Sequence, residues 1–225
     1  MTDKVTNQDQ DELSNLKSRI LSEVLPDVPF DGWTRGVMMK AADRLGVDRG
    51  EVQLAFPCGP VDLVSYFLAE GDRRMADALA KIDLDVLKIR EKVTLAVRTR
   101  LEVDTEHREA VRRAGTYLAM PTSGTRAPQV VYHTVDAIWR AIGDTSTDYN
   151  FYTKRATLSI VYASTLTVWL GDDSENLDET WAFLDRRIAG VMQFEKVKAQ
   201  VTKIVGKLPD PLGLLARLRY RTSRS

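Results

Sequence analysis

The sequence has little from which a disulfide, a metal site or a membrane span could be built. Of its 225 residues one is cysteine, Cys58, and two are histidine. An intrachain disulfide and a multi-cysteine metal site are therefore excluded, and a reducing cytoplasm is favoured. No Glu-x-x-His pair occurs, so the ligand pattern of ferritin-like di-iron sites is missing. The longest apolar stretch, residues 158–170, is interrupted by serine and threonine and falls short of the roughly 18 residues that a spanning helix needs.

The short motifs of common enzymes are also missing. There is no Gly-x-Gly-x-x-Gly, no Walker loop and no Gly-x-Ser-x-Gly, so the sequence predicts no cofactor and no catalytic constellation. The first 25 residues carry several acids and no apolar core, which predicts neither a secretory signal nor a transit peptide. We therefore expect a non-catalytic protein of the cytoplasm.

Charge is balanced in total but not along the chain. Lys and Arg number 32, as do Asp and Glu, yet residues 1–202 total −5 and residues 203–225 total +5. The basic tail has leucines at i, i+3 and i+6 beside arginines: Leu212, Leu215, Leu218, Arg217 and Arg219. A basic amphipathic helix of this kind suits an anionic membrane surface. A helix folded back on its own domain, or a frayed tail, is the alternative.

Apolar residues recur at helical spacing between clusters of proline and glycine, and no segment alternates apolar and polar residues convincingly over six positions. This predicts an all-α fold of nine to ten helices. We expect disorder over 1–8, a head over 9–58, a helical body over 59–202 and a linker with a membrane-binding tail over 203–225. The helices are expected over 10–28, 34–46, from 48, from 60, over 84–103, 105–120, from the end of the 121–128 loop to 143, over 149–170, and from the acidic run 171–179.

The front of the chain has the layout of a helix-turn-helix head. The order Gly32-Trp33-Thr34, Leu45-Gly46-Val47 and Phe56-Pro57 resembles the amino-terminal head of TetR-type transcriptional regulators. The helix that would enter DNA, residues 48–55, carries two acids and one base, although phosphate contact requires cations. We therefore expect a degenerate head that binds no nucleic acid. A ligand-responsive TetR-type repressor is the alternative function.

A longer signature lies in the middle of the chain. Residues 136–156 read DAIWRAIGDTSTDYNFYTKRA, with Gly32-Trp33-Thr34 before them and Trp181 after them. This pattern closely resembles the ubiquinone-biosynthesis accessory proteins, the ninth member of the mitochondrial coenzyme Q assembly series and its bacterial relatives, from about residue 20 to 200. Phe151 stands where the family usually has tryptophan. This replacement keeps an apolar ring but removes the indole N–H donor.

The resemblance implies a TetR-like helical homodimer, paired through the eighth and ninth predicted helices, that does no chemistry of its own. Such a protein binds ubiquinone precursors or other isoprenoid lipid in a hydrophobic cavity, lies on the inner face of the bacterial cytoplasmic membrane, and presents its lipid to a di-iron demethoxyubiquinone-type hydroxylase. The family's partner and lipid-access patch carries over onto Asp136, Trp139, Asp144, Asp148, Tyr149, Asn150, Phe151, Tyr152 and Arg155.

Several of these residues also have a purely structural interpretation. Gly143 is expected to end one helix and Asp148 or Asn150 can cap the next, so the acidic turn 144–148 lies near a helix N-terminus, where negative charge is favoured. Trp139 has the spacing of an ordinary core residue. Phe151 and Tyr152 lie about 100° apart on a helix, so they cannot both face one core and one of them is expected to be exposed.

Overall fold

The computed structural model describes residues 2–121, 126–145 and 149–205, and for residues 2–8, 149–150, 192 and 194–205 it describes the backbone alone. Within these ranges the chain forms ten α-helices, two short 3-10 helices and no strand, which confirms the all-α prediction. The α-helices are α1 (Thr2–Val24), α2 (Val28–Asp31), α3 (Arg35–Leu45), α4 (Arg49–Ala55), α5 (Pro60–Leu79), α6 (Ile89–Glu102), α7 (Arg108–Ala119), α8 (Arg126–Ala141), α9 (Tyr149–Gly171) and α10 (Asp178–Val205).

Helices α1, α3 and α4 pack together as the head. Local caps define the ends of α3: Oγ1 of Thr34 accepts a hydrogen bond from the Val37 amide at 3.2 Å, and Gly46 ends α3 at φ +65°. Asp48 and Glu51 form a capping box at the start of α4. These local signals fix the turn between α3 and α4.

A buried tryptophan joins the head to the helices that follow. Trp33 is 3% exposed, its indole N–H donates to the carbonyl of Ala110 in α7 at 3.0 Å, and its ring centroid lies 5.1 Å from that of Phe67. Helix α5 packs against α6, α7 and α8, and α8 packs against α9. The core is therefore continuous from the head through α5 to the α8–α9 pair.

The interior of this bundle contains a buried cluster of charges. The guanidinium of Arg100 donates to Asp72 and to Asp104, both at 2.6 Å, and to the Leu68 carbonyl at 3.1 Å. Arg100 and Asp104 are 2% and 1% exposed. Gly71 makes room for this group, because a Cβ there would lie 2.8 Å from the guanidinium. The cluster thus ties α5 to α6 through ionic hydrogen bonds.

Neighbouring polar side chains extend the cluster to α8. Thr134 donates to the second carboxylate oxygen of Asp72 at 3.1 Å, and Arg74 donates to Asp104 at 2.5 Å. Burial raises the pKa of Asp72, and burial also raises the pKa of Tyr162 to about 12. Tyr162 therefore stays neutral at physiological pH.

Three helix boundaries differ from the sequence predictions near the front of the chain and in the α5–α6 connection. Helix α1 already begins at Thr2, inside the stretch predicted to be disordered, and no proline or glycine interrupts it before residue 25. It ends at Val24 rather than at residue 28, because Pro26 lacks an amide hydrogen. The helix predicted from residue 84 begins at Ile89, where the Glu91 carboxylate accepts the Lys88 amide at 2.8 Å.

Two further boundaries also differ. The helix expected from Thr105 starts as a 3-10 turn, Thr105–His107, and becomes α-helical at Arg108. Helix α8 begins at Arg126, so Pro128 lies in its first turn instead of in the preceding loop. A proline is tolerated there because amides of the first turn have no partner within the helix.

The contacts divide the chain into two units, residues 1–184 and 185–225. The head, the buried charge cluster and the α8–α9 pair all belong to the first unit. Over the described ranges, no single helix has the length and hydropathy for a membrane span; α4 and α5 reach them only when taken together, with a bend of 56° between them.

Candidate functional site

The residues of the predicted patch converge where α8 ends and α9 begins. Gly143 ends α8 with φ +82°, and the Asp144 amide then donates back to the Trp139 carbonyl at 2.9 Å. Helix α9 packs against α8. The side chains of Asp136 and Trp139 on α8 are thereby brought to those of the first turns of α9.

Arg155 is the centre of this arrangement. Its side chain donates to Asp136 at 2.6 Å and approaches Asp144 at 3.5 Å, and it also bonds the Phe151 carbonyl at 3.3 Å. The guanidinium carbon lies 3.4 Å from the centroid of the Phe151 ring. Because Arg155 is only 2% exposed, it holds α8, the turn and α9 together beneath the surface. We call the contacts of Arg155 with Asp136 and Asp144 the Arg155 clamp.

Two cations outside the predicted patch, Arg140 and Lys154, complete the charge balance. Arg140 pairs with Asp136 at 2.7 Å, and Lys154 pairs with Asp144 at 2.7 Å while its Nζ lies 5.2 Å from the Trp139 ring centroid. The sequence signal for Arg140 was its i, i+4 spacing from Asp136. The ion pairs show that Asp144 is part of a structural network, whereas a contact with a partner stays a prediction.

The aromatic pair divides between the inside and the surface, as its spacing predicted. Phe151 is partly buried against Arg155, whereas Tyr152 is 68% exposed, and their rings meet edge to face with centroids 5.1 Å apart. Ile160, two turns further along α9, is 73% exposed. Helix α9 therefore presents large apolar groups to solvent beside the clamp.

Trp139 lies below this surface. It is 7% exposed, which agrees with the core interpretation of its spacing. Its indole N–H is buried and has no hydrogen-bond acceptor among the residues that the structure describes. Burial of a donor without an acceptor is energetically costly.

The structure does not place every residue of the prediction. Asp148 lies outside the described residues, and the side chains of Tyr149 and Asn150, which begin α9, are not described. The predicted membrane-binding residues also lie outside the described part: Leu212, Leu215, Leu218, Arg217 and Arg219.

The opposite end of α9 carries a second hydrogen-bond cluster, which the sequence analysis did not find. The buried carboxylate of Asp172 accepts the amide and hydroxyl of Ser174 at 2.9 and 2.5 Å, and those of Thr180 at 2.8 and 2.6 Å. Burial opposes ionisation, but these four bonds outweigh it and lower the pKa of Asp172. Its only signal in the sequence was its place in the acidic run before α10.

We expect the Asp172→Asn substitution to destabilise the protein in a pH-dependent way. At pH 7 the free energy of unfolding should fall by about 1–3 kcal/mol, because an amide replaces an acceptor that faces four donors. A carboxyl whose pKa is lowered in the folded state adds to the free energy of unfolding above its unfolded-state pKa of about 4. This contribution disappears as the pH falls toward its folded-state pKa. The deficit should therefore shrink below about pH 4.

Urea denaturation between pH 3 and pH 7 measures this effect. The neighbouring Asp173, which is exposed, supplies the matched control Asp173→Asn. A deficit for Asp172→Asn that is the same at every pH would contradict the role assigned to the carboxylate.

The part of the chain that contains α8 and α9 also matches a known protein family. Residues 125–195 match the family model described as COQ9. The mitochondrial ubiquinone biosynthesis protein COQ9 of Rattus norvegicus is 30% identical over 201 residues, which cover 86% of this chain and 64% of the rat protein. The Homo sapiens protein is 29% identical, with 86% and 63% covered. The Xenopus laevis protein COQ9-B is 30% identical over 202 residues, with 87% and 69% covered. The chain thus spans a little under two thirds of the length of the rat and human proteins.

A solved structure shows the architecture. The crystal structure of a TetR transcriptional regulator from Nitrosomonas europaea superposes with a TM-score of 0.63 at 21% sequence identity, covering 78% of this chain and 97% of the regulator. The TetR-like fold predicted from the head is therefore confirmed.

Proposed function

The chain belongs to the COQ9 family of ubiquinone biosynthesis proteins, and on that premise we propose that it is a non-catalytic accessory protein of this pathway. In this proposal it binds a polyprenylated ubiquinone precursor, or a related isoprenoid lipid, at the membrane. It then presents the lipid to a hydroxylase of the di-iron demethoxyubiquinone type. The proposal assigns the chemistry to the hydroxylase and only binding and positioning to this chain.

The observation that supports this most is where the family match falls. The matched residues 125–195 contain α8, α9 and the first part of α10, and all nine residues of the predicted patch. Within this region the Arg155 clamp makes a fixed base, and Tyr152 stands exposed upon it. An exposed aromatic on a rigid support is well suited to anchor a partner, because little side-chain freedom is lost on binding.

Trp139 supports the lipid-access part of the proposal. Its indole N–H, which has no acceptor among the described residues, lies on the same helix turn as Asp136, and a quinone ring offers carbonyl oxygens that accept hydrogen bonds. Opening of the surface around Tyr152 would bring such an acceptor to the indole. A lipid head group bound there would relieve the cost of the unpaired donor.

The basic tail supplies the membrane contact in this proposal. Residues 203–225 carry +5 with leucines at i, i+3 and i+6. We propose that Leu212, Leu215 and Leu218 enter the headgroup boundary while the arginines meet anionic lipid. A homodimer through α9 and α10 is the accompanying expectation. The rat and human relatives are named as mitochondrial proteins, and for this chain we propose the inner face of a bacterial cytoplasmic membrane.

Two measurements test the proposal. Mass spectrometry of lipid extracted from the purified protein is expected to find an isoprenoid lipid or quinone precursor. Tyr152→Asp is expected to weaken association with the hydroxylase at least about tenfold, because an interfacial anchor is replaced by a charge. Tyr132→Asp on α8, another exposed tyrosine at 40%, is the matched control and should leave association unchanged.

Protein that carries no such lipid, together with equal hydroxylase affinity for both tyrosine variants, would overturn the proposal. Thermal melting of both variants distinguishes a lost contact from a loss of folding, since both side chains lie on the surface.

A further inference from the structure

The head contains a groove that the proposed function does not use. It lies between α1 and α4 and has a volume of about 600 Å³. Its lining is formed by Asp9, Asp11, Glu12, Leu13, Asn15, Leu16, Arg19, Glu51 and Leu54. Helix α4 is the helix that would enter DNA in a TetR-type regulator, so the groove lies on the part of the head where such a protein would bind a nucleic acid.

The floor of the groove is apolar and open to solvent. Leu54, on the seven-residue helix α4, is 73% exposed. Leu13 and Leu16 on α1, one helical turn apart, are partly exposed beside it. A large exposed leucine that shares a groove with two others marks a surface that is suited to apolar contact.

The rim has the opposite character. Four carboxylates line the groove, on Asp9, Asp11, Glu12 and Glu51, against the single guanidinium of Arg19. Glu51 accepts the Asp48 amide in the capping box. The rim therefore presents a negative field that repels phosphate and attracts cations.

We propose that this groove docks a cationic amphipathic helix from a partner protein, with leucine-type side chains on the floor and Lys or Arg side chains on the rim. The lining residues of α1 run from Asp9 to Arg19, about 15 Å at the helical rise, so the groove accommodates roughly three turns of the partner helix. The mode is that of an amphipathic helix in an apolar groove, with charge complementarity setting the specificity. The head would thus recognise basic protein where its fold relatives recognise nucleic acid.

A defined peptide tests the proposal with the full chain. The probe is a fluorescent helix-forming peptide of roughly four turns, with leucine on one face and lysine on the other. Fluorescence anisotropy is expected to show saturable binding that weakens about tenfold or more between low and high salt, because exposed ion pairs are screened. The double variant Asp11→Lys with Glu12→Lys should weaken binding by about tenfold or more, and Leu54→Ser should weaken it at both salt concentrations.

The matched control is Asp43→Lys, which reverses an exposed carboxylate of α3 outside the groove and should leave binding unchanged. A second peptide with glutamate in place of lysine should bind at least about tenfold more weakly. Absence of saturable binding by the lysine peptide, equal binding of the two peptides, or an equal loss in the Asp43 control would each overturn the proposal. Thermal melting confirms that the variants remain folded.

Discussion

Replacement of Arg155 by methionine is expected to lower the free energy of unfolding by about 2–4 kcal/mol, because the change removes the cation of a buried ionic cluster. Methionine approximates the length of the arginine stem, so the loss arises mainly from Asp136 and Asp144, which keep their burial but lose the guanidinium between them. The remaining cations, Arg140 and Lys154, hold the cost below that of two fully unpaired carboxylates.

Arg140→Met is the matched control for this prediction. Arg140 bonds the same carboxylate at 2.7 Å, but its side chain is 75% exposed, so the substitution should change stability by less than about 1 kcal/mol. Urea denaturation of the three proteins measures both effects. Equal losses for Arg155 and Arg140 would show that burial of the clamp contributes nothing.

The second large effect is expected for Arg100→Met, at about 3–5 kcal/mol, because two buried carboxylates lose their shared partner. Arg100 is 2% exposed and bonds Asp72, Asp104 and a backbone carbonyl. Arg74 still bonds Asp104 in the variant, whereas Asp72 keeps, among the described residues, the hydroxyl of Thr134. Gly71 offers no side chain to fill the space that the guanidinium leaves.

This loss should depend on pH in a defined direction. Burial already raises the pKa of Asp72, and removal of Arg100 should raise it further. A carboxyl whose pKa is raised in the folded state lowers the free energy of unfolding least below its unfolded-state pKa and most above its folded-state pKa. The loss of stability in Arg100→Met should therefore be greatest at neutral pH and shrink on acidification. Arg73→Met, on the exposed side of α5, is the control and should cost less than about 1 kcal/mol at any pH. Chemical denaturation across this range decides the point, and a deficit that grows on acidification would contradict the assignment.

Helix starts with a local chemical signal could be predicted from the sequence. Thr34, the Asp48–Glu51 box and Pro60 each act within one helical turn, and the structure has a helix start at each of them. Apolar spacing alone was a poorer guide. The apolar spacing of α6 continues back through residues 84–87, but these residues lie before the start of the helix.

The residues near the α8–α9 turn were also predictable as a set, but their roles were not. Arg155 reaches Asp136 and Asp144 across 19 and 11 positions of the chain, and only the packing of two helices creates those contacts. The Arg100 cluster was overlooked, although a signal existed. Arg100 continues the spacing of Ala96 and Val97, so it lies on a face of α6 that is otherwise apolar, and Asp104 follows just after the end of this helix.

Helix α9 is fastened at both ends. The Arg155 clamp holds its first turns, while Arg108 and Arg112 from α7 donate to the Trp169 and Leu170 carbonyls at its last turn. A helix of 23 residues held at two points about 20 Å or more apart cannot rotate about its axis without breaking contacts at one end. The direction in which α9 presents Tyr152 and Ile160 is therefore fixed in the free protein, so binding of a partner there would lose little conformational entropy in orienting the helix.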